Sequence, residues 1–527
     1  MVTPTRRSAV LVAILMMASE WHDNNVAMAA NILALVVTPS PSHHIWNRAL
    51  MLALAARGHK VTVVSPDPEK HPVPNHRDIV LEGLYEDIHA SYDYEAMSKE
   101  SFIQNTITIF DWGYDSCKSA LASKGARQLM DLSANETFDL IIVEEAIDDC
   151  FLGFIPVFGS PPVIGITAYS SPPWAGYVVG NPDTPSYVNT YNLPFSDHMN
   201  FFQRMSNMLL HTFVLLSRRF YHMPLQQKLA DNFFGKSIPP LTEIEKNISL
   251  VMVNIHHSLD YPRPMLPSLI PVGGLHIKPS KPLPKDIQKY LDDAKEGAIF
   301  FSLGTNVRSD KLTPDKRQMI LDTFSQFPQR VLWKWESDTL PGQPKNVKVG
   351  KWLPQSDILA HPNVKLFITH SGLLSTQEAI YHGVPVVGIP FLADQFTNIQ
   401  KCINHGVGEK VDYDTMTKES FHGAINKVLN TPSYTVKMKR LSEQFRDRPE
   451  TPLETAVYWT EYVIKHNGAH HLRSAALDLA WYQYLLLDVI SVLITGIILC
   501  LTLLYFVAKR VYKVVTKTKK IVKSKKH

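Results

Sequence analysis

The stretch that decides the fold is "FITHSGLLSTQEAIYHGVPVVGIPFLADQ", residues 367–395. With Leu366 in front, "LFIT" is a short apolar run of the buried-strand kind, "SGLLSTQEAIYHG" reads as a turn and a helix beginning near Ser375, and "VPVVGIP" as a second strand. The unit is strand-helix-strand, and its polar residues, His370, Gly372, Ser375, Glu378, Asp394 and Gln395, fall at strand ends or on the helix between them. In parallel α/β sheets that is where ligands bind.

The same alternation runs outward along the chain. From Asn31 come a strand (32–37), the loop "TPSPSHH", a helix (45–57) closed by Gly58, and a strand (61–65). "FDLIIVEE" and "ISLVMVN" read as further strands, and the Pro- and Lys-rich "IKPSKPLPKDIQ" as an interdomain linker. Beyond it "GAIFFSL", a helical stretch and "RVLWKW" restart the pattern. A chain of 527 residues is too long for one core. The expected fold is α/β: two Rossmann-like, doubly wound domains facing one another, over 30–278 and 291–466, joined by a linker at 279–290.

The ends suggest a membrane protein. Residues 1–29 hold two arginines and an apolar run of about ten residues, the length of a signal-peptide core and too short to span a bilayer. After a juxtamembrane segment, 467–488, the uncharged stretch 489–508 is long enough to cross as one transmembrane helix. The tail, 509–527, holds nine Lys or Arg and no acid; removing those nine from the chain's 53 leaves 44 bases against 49 acids. The basic balance therefore belongs to the tail, and a nucleic-acid partner loses its support. Positive charge after the span predicts a single-pass type I protein with the domains lumenal and the tail cytoplasmic. Lysines three and five residues from the end (Lys525, Lys523) look like an endoplasmic-reticulum retrieval signal, compatible with a lipid-headgroup anchor. Asn135 in "NET" and Asn247 in "NIS" are glycosylation sequons. The four cysteines cannot form a disulfide framework, and spacing leaves the pairing of Cys117, Cys150 and Cys402 open.

No G-x-G-x-x-G or Walker sequence is present, which disfavours a dinucleotide cofactor, nucleoside-triphosphate chemistry and a nicotinamide-linked reductase. A helix N-terminus is an anion site by itself. At 370–375 Gly372 would let the backbone approach an anion, with His370 and Ser375 as hydrogen-bond groups; the plain alternative is a turn capped by Ser375 with Glu378 three residues on. "FFSLGT" presents Ser302, Gly304 and Thr305 at another strand end, and "GKWLPQSDIL" offers the flat ring of Trp352 and the amide of Gln355.

With these residues in view, "WLPQSDILAHPNVKLFITHSGLLSTQEAIYHGVPVVGIPFLADQFTN" resembles the signature of the UDP-glycosyltransferase family, of the UDP-glucuronosyltransferase type and nearest its insect branch. "PSHH", "RGHKVTVVSP", "VNIHHSLDYPRPMLPSLIPVGGLHI" and "FRDRPETPLETAVYWTEYV" extend the likeness over nearly the whole chain. It implies a GT-B fold, the nucleotide sugar on the C-terminal domain and the acceptor on the N-terminal one. It implies that Trp352 stacks the uracil, Gln355 and Glu378 bond the ribose, Ser302, His370, Gly372 and Ser375 hold the diphosphate, with Thr305 beside them, and Asp394 and Gln395 bond the sugar. His43 matches the catalytic base by its spacing to "RGH", with His44 as rival; Glu144 stands where an orienting Asp is usual, with Glu145, Asp148 and Asp149 as alternatives. Ser371 and Ala393 stand where Gly is usual.

The implied activity is that of an enzyme that moves a hexose from UDP-glucose or UDP-glucuronate to a hydroxyl of a small lipophilic acceptor, of the conjugation or detoxification type, with inversion. A neutral imidazole suits the proton transfer. The acceptor pocket is expected from Tyr92 to Trp112 and from apolar loops up to about His222. No cofactor and no metal is expected, because helix amides and hydroxyls can hold the departing UDP; Asp412-Tyr413-Asp414 is a short chance match. Arg263 is a candidate donor contact. The alternative is a catalytically silent carrier of lipophiles or UDP-sugars, and a homo-oligomer is left open.

Overall fold

The computed structural model describes residues 29–236 and 238–525. The expected signal peptide, but for Ala29, and the last two residues of the lysine motif lie outside the described residues. The chain forms one compact unit up to Arg473 and a second from Ser474 onward.

Two parallel sheets organise the first unit. One has seven strands, β1 (Asn31–Leu35), β2 (Lys60–Ser65), β3 (His76–Val80), β4 (Leu140–Glu144), β5 (Val163–Thr167), β6 (Ile248–Val253) and β7 (Leu269–Pro271), in the order β3-β2-β1-β4-β5-β6-β7. The other has six, β8 (Ala298–Ser302), β9 (Arg330–Lys334), β10 (Val347–Gly350), β11 (Val364–Thr369), β12 (Val386–Gly388) and β13 (Gly408–Lys410), in the order β10-β9-β8-β11-β12-β13. Ala34 pairs with Val63 on one side and Ile142 on the other, and Phe300 pairs with Leu332 and Phe367.

Helices cover both faces, which is why the strands read as unbroken apolar runs. In the first sheet Leu33, Leu35, Ile141 and Val143 face one core, while Ile32, Ala34, Leu140 and Ile142 face a second with Trp46, Leu50 and Leu54.

The structure differs from the expected domain limits in two places. Half of the supposed linker is helix: Lys285–Asp292 buries Ile287 and Leu291, four residues apart, against Ala298 and Phe300 of the second sheet. The helix Pro452–Lys465, read as part of the second domain, packs on the first. Its Ala456, Val457 and Val463 join the Trp46–Leu50–Leu54 core, and Glu461 takes two bonds from Arg57, 2.7 and 2.9 Å. Thr451 and Glu454 close its start as a reciprocal capping box. The chain thus returns to its first domain after building its second.

Buried polar contacts join the two domains. Lys401 Nζ meets Asp260 Oδ1 at 2.6 Å, and Ser170 donates to the same oxygen at 2.8 Å. Thr397 Oγ1 donates to the Tyr191 carbonyl at 2.7 Å.

Two contacts fix the segment after β4. Cys117, on the helix Phe102–Ala122, is bonded to Cys150, the pairing that spacing left open, while Cys402 and Cys500 are free. Four residues before Cys117, Gly113 presses so close that a Cβ there would lie 2.3 Å from the Ile147 carbonyl oxygen.

The second unit contains the helix Leu487–Ser524, 38 residues long, which includes the expected span 489–508 and is a candidate transmembrane helix. It continues through the basic stretch that sequence alone left without structure.

The Gly113 contact makes a signed prediction. In an open helix, Gly→Ala gains about 1 kcal/mol of propensity, whereas forcing a methyl into a filled core costs about 1–3 kcal/mol. Because the obstacle is backbone, packing should win: Gly113→Ala should lower the unfolding midpoint of the solubilised chain by about 2–4 °C, and a rise would refute the close contact.

Candidate active site

Each sheet reverses its strand order at one point, β1/β4 in the first and β8/β11 in the second. Loops leaving such neighbours diverge and open a crevice.

At the first reversal the chain leaves β1 and enters the helix Pro41–Ala56, which begins four residues earlier than the sequence pattern places it. Proline at the first helical position costs no hydrogen bond and presets φ. His43 therefore sits in a first helical turn, not in a loop. Glu144 is the last residue of β4, and its Oε1 lies 2.6 Å from His43 Nδ1. The Tyr169 ring packs edge-on against the imidazole, centroids 4.8 Å apart. Burial disfavours the imidazolium, but the charge and hydrogen bond of Glu144, with Asp394 and Asp148 behind it, outweigh burial and hold the His43 pKa above its usual value.

The other acids go elsewhere. Glu145 is buried beside Gly165, and burial lifts its pKa to about 8. Asp149 meets Arg218 at 2.7 Å and His222 at 2.8 Å; these partners overcome burial and hold its pKa at about 2. Asp148 accepts a 2.5 Å hydrogen bond from Thr38 and is raised by burial to about 8. His44, the rival base, lies among Asp67, Arg48 and Glu69, away from the cavity that His43 lines, with its pKa lowered by burial.

At the second reversal Ser302 ends β8, with Gly304 and Thr305 after it, and His370 follows β11. His370 is gripped between glycines: a Cβ on Gly304 would lie 2.4 Å from its Cε1, and one on Gly372 2.4 Å from its Nε2. Burial, with Lys334 nearby, holds its pKa down at about 4, so the ring is neutral. The next helix starts at Leu373, with Gly372 before it and no side-chain cap, so Ser375 is not the cap that the capping-box reading supposed. Its hydroxyl instead accepts from Gln355 Nε2 at 2.9 Å, and the same amide reaches Glu378 Oε2 at 2.6 Å. Burial raises the Glu378 pKa to about 7. Asp394, raised by burial, accepts from Asn398 at 3.0 Å. Gln395 spends its side-chain oxygen on the Phe391 and Leu392 amides, at 2.8 and 3.3 Å, leaving its NH2 group for other partners.

Both positions where the chain departs from Gly hold backbone that favours Gly. Ser371 has φ 66° and Ala393 φ 52°, both left-handed, where a Cβ costs about 1–2 kcal/mol. Each sits beside a site residue.

One cavity of about 310 Å³ collects these groups. His43 lines it from the first domain; Ser302, Thr305, Trp352, Gln355, His370, Gly372, Ser375, Glu378, Asp394 and Gln395 line it from the second. Trp352 is 66% exposed, with a ring face free for a planar ligand. Glu144 stands behind His43. Arg263 is not brought in: it lines a separate small pocket near Asp183 and His211. Asp412 pairs with Lys410 at 2.7 Å, and Asp414 likewise does not line the cavity. Of the expected acceptor stretch, Trp112 reaches the cavity wall. Toward His222 the segment is not loop throughout: Phe201–Ser217 is a helix whose Phe201, Phe202 and Leu209 face outward. Asn135 and Asn247 are both exposed.

Sequence reasoning missed Tyr169, His276, Asn306 and Lys334, which also line the cavity. Lys334, the last residue of β9, and Tyr169, just past β5, could have been found as polar residues at strand ends. His276 follows β7 in "GGLHI" with no local signal.

The cavity offers a basic imidazole held by a carboxylate on one side. Opposite it stand helix-start amides, a neutral imidazole and a run of hydroxyl, amide and carboxylate groups ending in an exposed indole. That suits an elongated polar ligand with a planar end and an anionic middle, placed against a group that loses a proton. Comparison with known proteins shows the fold and the family. The solved structure of a UDP-glucosyltransferase from Polygonum tinctorium shares 16% identity, covers 83% of this chain and 99% of that one, and superposes with a TM-score of 0.56, which supports the GT-B fold. UDP-glucosyltransferase 2 of Dactylopius coccus is 40% identical over 470 residues, 88% of this chain and 90% of that one. UDP-glucuronosyltransferase 2B1 of Rattus norvegicus is 32% identical over 490 residues, 88% and 90%. The profile of the family described as "UDP-glucoronosyl and UDP-glucosyl transferase" matches residues 33–526, and the chain belongs to that family of hexosyltransferases.

Proposed function

We propose that the protein transfers glucose from UDP-glucose to a hydroxyl of a small lipophilic acceptor, with inversion and without a metal. The observation that carries this reading is the His43–Glu144 pair at 2.6 Å, facing the same cavity as the donor-side residues. With Nδ1 committed to Glu144, Nε2 is the nitrogen left for the acceptor. It takes the hydroxyl proton as the oxygen attacks the anomeric carbon from the face opposite the diphosphate. The new C–O bond forms, the bond to the diphosphate oxygen breaks, and UDP leaves with the electron pair. Glu144 stabilises the imidazolium that results. The amides opening the helix Leu373–His382, with Ser302 and His370, meet the charge that grows on the diphosphate. Trp352 stacks the uracil, Gln355 and Glu378 bond the ribose, and Asp394 and Gln395 bond the sugar.

Glucose is favoured over glucuronate on electrostatic grounds. Glucuronate would bring a carboxylate toward Asp394. Arg263 lies outside the cavity, and Lys334 is paired with Glu336 at 2.7 Å on the His370 side. The activity named for the Dactylopius relative, a UDP-glucosyltransferase, is in keeping with this. Trp112, Tyr169 and Leu392 supply apolar wall on the acceptor side. A lumenal, endoplasmic-reticulum setting, type I through the helix Leu487–Ser524, is supported by the Cys117–Cys150 disulfide, which an oxidising compartment favours, and by two exposed sequons.

Three outcomes test this. Membranes given each UDP-sugar and a simple phenol should yield a product whose mass is that of the glucoside; a glucuronide as main product would overturn the donor assignment. His43→Ala should lower turnover about 10²–10⁴-fold while UDP still binds, and unchanged turnover would remove His43 from the chemistry. The base must be neutral, and Glu144 holds its pKa above 6.5. kcat/KM for the acceptor at saturating donor should therefore fall as pH drops through a value above 6.5. In Glu144→Gln burial dominates, so the slower enzyme's acid limb should move to lower pH; a limb that stays put would show that Glu144 does not tune the base.

A further inference from the structure

We infer that His276 is a nucleotide-reading residue, bonding a ribose hydroxyl of the donor together with Glu378; the inference rests on the UDP-sugar reading of the cavity. His276 comes from the first domain, five residues past the end of β7, yet it lines the cavity among the second-domain groups. Its side chain is only 2% exposed, and neither ring nitrogen has a hydrogen-bond partner. The Leu374 main chain lies near enough to favour the charged form slightly, without hydrogen-bond geometry, and Lys278 opposes it. Burial is the largest influence and keeps the ring neutral, so it offers one donor and one acceptor.

A buried imidazole with both nitrogens unmet is costly to keep. What it faces suggests what meets it. Glu378 Oε1 stands 3.8 Å from His276 Nε2, too far for a hydrogen bond between them. A hydroxyl oxygen can sit within bonding distance of both, donating to the carboxylate and accepting from the ring N–H. The other carboxylate oxygen is already held by Gln355 at 2.6 Å, which fixes the direction of the pair. Gln355, which bonds Glu378, and Trp352, three residues before it, place this corner at the nucleoside end on the UDP-sugar reading. A hydroxyl there belongs to the ribose and not to the transferred sugar.

The test is binding of UDP, 2′-deoxy-UDP and 3′-deoxy-UDP to the full solubilised chain. His276→Ala should weaken UDP about tenfold, with the loss carried by UDP Kd and donor KM and not by acceptor KM. For the analogue lacking the hydroxyl in question, the same substitution should cost less than about threefold. His276→Gln, which keeps a donor and an acceptor, should recover part of the loss. If the alanine variant does not fold, His276→Leu, which fills the space without a polar atom, takes its place. Wild-type affinity for UDP in the folded apolar variant would overturn the inference, as would an equal loss for UDP and both analogues, the mark of a packing role. Failure of the wild-type chain to bind UDP at all would instead overturn the proposed function.

Discussion

The structure depends on a geometric constraint of parallel sheets. Crossovers between parallel strands are right-handed, so both faces of the sheet are covered only if the chain winds outward in two directions from an inner strand. Where the winding reverses, the loops after two neighbouring strands part, and their backbone ends are left for a ligand. Here the reversals fall at β1/β4 and β8/β11. The first supplies His43 and Glu144, and the second supplies Ser302 with the His370–Ser375 turn. Placing both sets on one cavity is then a matter of docking, and the contacts that dock the domains are buried and specific. Lys401 and Asp260 are each 2% exposed at the side chain, and the last helix of the unit crosses back to pack on Trp46 and Leu50.

Within that frame burial sorts acids that look alike in sequence. Glu144, Glu145, Asp148 and Asp149 lie within six residues, yet one bonds the imidazole, one is bound by Arg218 and His222, and two are pushed to about 8. A carboxyl whose ionised form burial disfavours competes less well for the imidazolium, which favours the pairing of His43 with Glu144. The Cys117–Cys150 bond and the Gly113 contact hold this segment against one long helix. Glu144, which meets His43, therefore stands next to a segment held in place.

At the second reversal space is the limiting resource. His370 occupies volume that side chains at 304 and 372 would otherwise take. The adjoining Ser371 and Ala393 tolerate left-handed backbone that glycine would adopt freely. Such positions persist because the strand ends and helix starts on either side leave the turns no other path.

Several features were set by the sequence alone. The alternation of apolar runs and amphipathic stretches specified two doubly wound domains, because burial on both faces imposes it. The polar residues at strand ends, from Ser302 to Gln395, marked the groups that meet on one cavity, because strand ends are where a parallel sheet exposes its loops. Other features needed the tertiary structure. Local pattern could not tell which of four acids meets His43, since that depends on which face of β4 and its loop each one points to. It placed Arg263 as a donor contact, when the fold puts that side chain in another pocket, and it gave the last helix to the wrong domain, since its apolar stripe would fit either. His276 had no sequence signal at all. A single histidine after a Gly-Gly turn acquires meaning only when the chain carries it from one domain into the cavity of the other, beside Glu378, more than a hundred residues away.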